Sequence, residues 1–428
     1  SMASLILHGD LDGHEQPLSR TLYVRPILQP DARDWRRRRE ETVPEKILVV
    51  DLIHRAVRRI FEGEGKEPPA ARSVCIINLS IGIKDRLFDG ALSPLARLLD
   101  WLAWKHQVLF IVSAGNLIRS LEFGVERDKF RALEAQAIQD LVIKAVAADA
   151  RYRRLLSPAE AVNVLTVGAL HSDRSLDNNV PRSVAPYVHE ELPSLINSQG
   201  MGYRRAIKPE ILAAGGRVVL LECIPMAPNA TYDIYKGTLS PGQKVAAPGS
   251  ILGEVGAAWY TRGTSNATAL TSRAAAILYD VLEELRDEPG GELINTIPWA
   301  VWLKALLTHA AEWGMAGKVL DSILRSPENN RQFKEYITRL LGYGGICPNR
   351  VRECAQHRVT ALSGGRLGSD QAHVHRFPLP PSLSGRRCWR RLMITLAWLT
   401  PINPAHQGWR RAALWFEPPK DFLRVERQ

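Results

Sequence analysis

Three runs of apolar residues, at 74–79, 108–112 and 164–167, are continuous rather than alternating. A strand built from such a run has no wet face, so the runs fit a parallel sheet covered on both sides. The stretches between them have helical spacing. Residues 46–61 carry basic side chains toward their end, and at 94–104 Ser93 is placed to cap the helix with Pro94 in its first turn. Strand and helix alternating in this order imply right-handed crossovers and helices on both faces. Leu22, Tyr23 and Val24 form one more short strand candidate.

Gly and Pro recur between 215 and 261 with short apolar pieces between them, which predicts a loop-rich β excursion. Two helices follow, at 265–285 and 298–313, the second with Pro298 in its first turn. From His373 the chain is Pro-rich and strand-like, and residues 392–398 and 411–416 predict two strands that begin a small β-sandwich. A chain of 428 residues is too long for one compact domain. The expected division is an α/β domain at 1–325, a connecting segment at 326–372 and a partial β-sandwich at 373–428.

With 45% hydrophobic and 24% charged residues, the chain is neither disordered nor fibrous. The longest apolar runs, such as 299–307, are broken by Lys304 and too short to span a bilayer, so no membrane partner is expected. The first seven residues lack the basic start of a signal peptide, and His8, Asp10 and Asp12 follow at once. Cys75, Cys223, Cys347, Cys354 and Cys388 are odd in number and scattered, which argues against a disulfide framework and for a cytoplasmic protein. Cys347, Cys354 and His357 lack a clear fourth ligand and are not read as a zinc site. Cys75 reads as core. The net charge of +11 is carried partly by arginine runs beside Trp35 and Trp389. Arginine next to tryptophan can hold phosphate and stack on bases, but Glu40 and Glu41 offset the first run. Both runs are read as solvated faces rather than as a nucleic-acid site.

Gly263, Thr264, Ser265, Asn266, Ala267 and Thr268 stand at the front of the long helix. A serine there has its hydroxyl in the positive field of the helix N-terminus, with free backbone N–H groups beside it. A nucleophile and half of an oxyanion hole belong in such a place. Ser113, Ala114, Gly115 and Asn116 follow a buried strand directly, and the end of a parallel strand is where active sites form. An asparagine amide there can donate to a developing oxyanion. Taken singly, Ser265 reads equally as a helix cap and Asn116 as a turn residue.

In this order the segments resemble the subtilisin-like serine peptidases, the subtilases, over roughly residues 1–320. Gly263-Thr264-Ser265 with Ala267 resembles the nucleophile motif Gly-Thr-Ser-x-Ala, although Ala269 and Leu270 stand where the family usually has Pro-His. Ser113-Ala114-Gly115-Asn116 resembles the oxyanion motif. Asn78-Leu79-Ser80-Ile81-Gly82 is similar to the strand that pairs with extended substrate, residues 163–169 to the strand after it, and Lys208-Pro209-Glu210-Ile211 with Gly215-Gly216 to the Lys-Pro-Asp…Pro-Gly segment. The resemblance implies a subtilisin-like parallel sheet followed by the partial β-sandwich, and hydrolysis of peptide bonds. Ser265 would attack, its own N–H and the Asn116 side chain would hold the oxyanion, and a polypeptide substrate would lie along Ser80, Ile81 and Gly82, with Ser113, Gly115, Gly263 and Thr264 also lining the site. Calcium is common in the family, but no acidic cluster here has the spacing of a site, and no cofactor is expected.

The family also uses an aspartate on a first strand and a histidine in His-Gly-Thr-His. Neither stands in these 428 residues. The opening Met2–Leu7 stretch resembles the helix that follows the histidine, so both residues are expected upstream of residue 1, and the chain as given is expected to be inactive. His8-Gly9-Asp10 echoes the histidine motif but falls after the helix it should begin. Asp51 ends an apolar run, yet 52–57 continue as a helix, so it is read as a helix residue. His54, His106 and His309 are read as structural. A parallel sheet lacking its first strand exposes an apolar edge, so a homodimer through that edge is expected. A catalytically dead subtilase fold that binds peptides or a partner protein remains the second reading.

Overall fold

In the computed structural model, which describes residues 1–417 apart from 36–38, 177, 224–227, 250, 252, 327–332, 354–357, 378–390 and 407, the three apolar runs are neighbouring strands. β1 (Ile76–Leu79), β2 (Leu109–Ser113), β3 (Leu165–Leu170) and β4 (Ile211–Ala214) pair in parallel, with Ile76 beside Leu109, Ile111 beside Leu165 and Ile211 beside Val167. Two short strands, β5 (Ala311–Glu312) and β6 (Gly345–Ile346), complete the order β5–β6–β4–β3–β2–β1.

The helices lie on both faces, as the runs without a polar side require. α1 (Met2–His8), α2 (Val49–Phe61), α3 (Pro94–His106), α4 (Ala135–Ala148), α5 (Thr264–Arg286) and α6 (Trp299–His309) contribute most of the packing. Side chains alternate across a strand. Phe110 and Val112 of β2 therefore join Ile53 and Val57 of α2 and Leu95 and Leu99 of α3, while Leu109 and Ile111 join Leu278 of α5 and Leu303 of α6. Each such fully buried side chain contributes about 1.5–3 kcal/mol. The Ser93 hydroxyl accepts the Ala96 N–H at 3.1 Å, which caps α3 where the sequence places the cap. The β excursion supplies Leu220–Glu222 and Asn229–Ile234 to a second, antiparallel sheet with Leu121–Glu126 and Ser183–Val184. Gln243–Ala246 pairs separately with Ala258–Thr261.

Several expectations are corrected. β1 is buried on neither face throughout: Ile76, Ile77 and Asn78 are half-buried, because β1 is the edge strand of its sheet. Pro298 precedes α6 as its cap residue with extended backbone, and the helix stops at His309 because Ala311 and Glu312 leave to pair with Ile346 and Gly345. Leu22, Tyr23 and Val24 form no strand, and Val24 is 60% exposed. Residues 392–398 and 411–416 form no sandwich strands either. Leu392, Ile394 and Leu396 face outward with no sheet opposite them among the described residues, at 67%, 46% and 45% exposure. The stretch is held by polar contacts and, further along, by Leu399, Ile402 and Trp409 packing into the core. Thr395 meets His309 at 2.9 Å, Thr400 and Asn163 exchange two hydrogen bonds, and the Trp409 indole donates to Asp100 at 2.7 Å. Asp51 lies in the first turn of α2. His54 packs edge-on against Trp101 and His106 stacks on Phe61, both structural contacts. Cys75 is half-buried, and burial pushes its thiol up to about 11. Cys354, His357, Cys388, Trp389 and most of both arginine runs lie outside the described residues. No described helix is long and apolar enough to cross a membrane.

Candidate active site

The site forms where the first turn of α5 meets the ends of β1 and β2. Gly263 is the residue before α5, and Thr264 and Ser265 open the helix. The N–H groups of a first turn have no carbonyl four residues back, so the Ser265 amide is presented outward beside its own hydroxyl. Gly263 is held in place by its N–H, which donates to Gly215 O at 2.7 Å. A Cβ on Gly215 would come within 2.3 Å of the Ala169 side chain. The Gly215-Gly216 pair thus lets the chain entering α5 press against β3.

Asn116 follows β2 directly, and its amide orientation is set by Thr264. The side-chain oxygen accepts both the Thr264 N–H at 2.9 Å and the Thr264 hydroxyl at 3.0 Å. With Oδ1 occupied twice, Nδ2 is the end that faces Gly263: a Cβ built there would lie 2.9 Å from Nδ2. Thr264 also takes the Gly115 N–H at 3.3 Å. The single threonine between Gly263 and Ser265 therefore fastens the whole Gly115–Asn116 turn to the helix start.

Ser80, Ile81 and Gly82 follow β1 directly, outside its ladder. The Ser265 hydroxyl donates to Ser80 O at 3.4 Å. Ser80 in turn donates to Asn78 Oδ1 at 2.9 Å, and Asn78 Nδ2 donates to the Ser272 hydroxyl two turns along α5 at 3.0 Å. Structure therefore brings Ser265, Thr264, Gly263, Asn116, Gly115 and Ser80 together, with Ile81 and Gly82 beside them. Ser113 is the last residue of β2 and is buried behind the turn. Sequence reasoning missed the tie through Ser272 and the packing of Leu156 against both Gly82 and Gly115. Ser272 stands seven positions after Ser265, two helical turns, and that spacing is the signal that could have found it.

Among the described residues no histidine is hydrogen-bonded to Ser265. His8 is exposed at the end of α1. His171 is fully buried, its ring nitrogen accepting the Val218 N–H, and burial holds its pKa down to about 3. Asp10, beside His8, is a buried acceptor for the N–H groups of Arg174 and Lys244. α1 packs on α5 through Leu5, Ile6 and Ala269, with Leu270 at the margin, so the two residues that depart from Pro-His lie in a helix contact. Lys208 and Glu210 form a buried ion pair at 2.7 Å whose partners are Thr166 Oγ1 and N. That motif fastens β4 to the start of β3 rather than serving the site. No cluster of three or more histidine, cysteine or acidic residues gathers as a metal centre among the described residues.

Residues 48–344 match the sequence profile of the subtilase family. The chain is 25% identical over 348 residues, 80% of its length and 70% of the relative's, to the uncharacterised protein y4bN of Sinorhizobium fredii (strain NBRC 101917 / NGR234). Among solved structures it is similar to the prenylagaramide maturation protease PagA, at 19% identity and TM-score 0.33 over 71% of this chain and 66% of that one. It is also similar to the self-cleaved protease domain of PatA, at 19% identity and TM-score 0.33 over 70% and 64%. The chain thus spans just under two thirds of the length of these two structures. The profile match covers well over half of the sequence and contains the turn at Asn116, the segment at Ser80 and the Gly263-Thr264-Ser265 helix start, so the chain belongs to the subtilase family.

Proposed function

We propose that this chain carries the nucleophile and the oxyanion hole of a serine endopeptidase of the subtilisin type. Ser265 is the attacking hydroxyl. Its own N–H and Asn116 Nδ2 hold the oxyanion, and the polypeptide substrate adds as a strand along Ser80, Ile81 and Gly82. The observation that carries this reading is the double engagement of Asn116 Oδ1 by Thr264, which leaves the donor end of the amide turned to the helix start that bears Ser265. A hydroxyl without a base stays protonated and is a poor nucleophile. No base for Ser265 is assigned among the described residues, and on this reading the chain by itself is inactive.

A fluorophosphonate probe read by mass spectrometry tests both parts. The chain alone is expected to leave Ser265 unmodified, and added imidazole, standing in for the base, should give slow modification at Ser265. Removing one oxyanion donor costs about 10²–10³ in rate, so Asn116→Ala should lose the modification by that factor. Rapid labelling without imidazole would refute the inactivity of the chain by itself. No labelling with imidazole, in a folded sample, would refute Ser265 as a nucleophile. The second reading, a peptide-binding module without catalysis, is favoured by the Ser265 hydroxyl being spent on Ser80 O, and it predicts that last outcome together with retained peptide binding.

A further inference from the structure

The segment after β1 and the turn after β2 each present a glycine, Gly82 and Gly115, and one side chain lies against both. A Cβ placed on Gly115 would stand 2.5 Å from Leu156 Cγ, 2.7 Å from Cδ1 and 2.8 Å from Cβ. A Cβ on Gly82 would stand 3.2 Å from Leu156 Cβ and Cδ1, and 3.8 Å from Gly115 Cα. The two segments therefore approach to within van der Waals contact at these glycines, and Leu156 packs against both.

Leu156 is 5% exposed and its backbone is tied to both segments. Its N–H donates to Ala114 O at 3.1 Å, on the Gly115 side. On the Gly82 side, the Ile83 N–H donates to Ser157 O at 2.9 Å and the Phe88 N–H to Leu155 O at 2.8 Å. A residue fastened through its own chain and both neighbours cannot swing clear as a surface side chain would.

We infer that Leu156 closes the side-chain pocket next to the oxyanion donors, so that the site takes peptides whose residue at the reacting carbonyl is glycine or alanine. The inference rests on the reading of the site above. In an added strand, alternate side chains point to opposite faces. With the reacting carbonyl at Asn116 Nδ2 and the chain along Ser80, Ile81 and Gly82, the side chain on that residue points to where Gly82, Gly115 and Leu156 meet. A methyl group fits over Leu156. A leucine or phenylalanine side chain must displace it.

Equilibrium binding of labelled product-like peptides tests this without requiring turnover: three alanines followed by alanine, leucine or phenylalanine with a free carboxylate, read by fluorescence anisotropy. The alanine peptide should bind most tightly, and the phenylalanine peptide at least about tenfold more weakly, the scale of a side-chain misfit in a closed pocket. Leu156→Ala should recover that tenfold for phenylalanine and leave the alanine peptide nearly unchanged. If the variant fails to fold, the ranking on the unaltered chain decides alone. Phenylalanine binding as tightly as alanine would overturn the inference while leaving the peptide site standing. Absence of binding by every peptide to a folded sample would overturn the peptide site and the inference with it.

Discussion

Replacing Gly263 by alanine perturbs the site through a single carbon atom. Gly263 has φ 145° and ψ 173°, a region that side-chain-bearing residues essentially never enter, and forcing one there costs about 1–3 kcal/mol. The new Cβ would stand 2.9 Å from Asn116 Nδ2 and 3.3 Å from Oδ1, where ordinary contact begins at 3.4 Å. Neither side can yield freely. Gly263 is anchored to Gly215 O, and Asn116 Oδ1 to the Thr264 N–H and hydroxyl. The amide must therefore move, and the oxyanion loses one donor, worth about 10²–10³ in rate. The assay is the imidazole-dependent modification of Ser265, run beside thermal unfolding. Modification should slow by about 10²-fold or more while Tm falls by no more than about 2–4 °C per kcal/mol of strain. If both substitutions remove the same donor, adding Asn116→Ala to Gly263→Ala should slow the reaction little further. Gly263→Ala that reacts at the unaltered rate and melts at the unaltered temperature would refute the assignment of Nδ2.

The same geometry makes further predictions. Asp100 accepts the Val162 and Asn163 N–H groups on one oxygen, at 2.8 and 2.7 Å, and the Trp409 indole on the other, so Asp100→Asn turns an NH₂ toward a donor. A loss of about 1–3 kcal/mol is expected in urea unfolding, and Trp409→Phe in that background should recover part of it. Burial pushes the Asp100 carboxyl up to about 6, against the hydrogen bonds it accepts and the nearby Lys208. Between about pH 4 and pH 6 the folded protein keeps a proton that the unfolded chain has released. The contribution is therefore full below about pH 4 and declines by up to about 3 kcal/mol as pH rises through 6, a slope that Asp100→Asn should abolish in urea midpoints measured against pH. The half-buried edge of β1 predicts self-association, visible as a dimer in light scattering and disrupted by Ile77→Lys; a clean monomer that binds no hydrophobic dye would count against it.

What could be read without coordinates was short-range. The unbroken apolar runs announced β1 to β3, helical spacing announced α2, α3 and α5, and Ser93 before Pro94 marked a helix start to the residue. The Gly263-Thr264-Ser265 and Ser113 to Asn116 segments could be named as halves of one site because each follows from a local rule: a helix N-terminus and a strand end. The alternating segment 392–398 shows where such rules fail. Its period is that of a strand, but among the described residues no sheet faces Leu392, Ile394 and Leu396, and the stretch is tied through Thr395 and Thr400 and packed through Leu399 and Ile402.

Sequence alone thus determined the class of fold, the order of β1 to β3 with α2, α3 and α5 along the chain, and which serine and asparagine could meet. Tertiary structure decided how they meet. The turning of the Asn116 amide by a threonine 148 positions away, the exposure of β1 as an edge, the packing of Leu156 against Gly82 and Gly115 and the anchoring of Trp409 on Asp100 all depend on contacts between residues distant in the chain. Local propensity and periodicity carry no term for such pairs, because their energies arise only once the sheet has brought them within bonding distance.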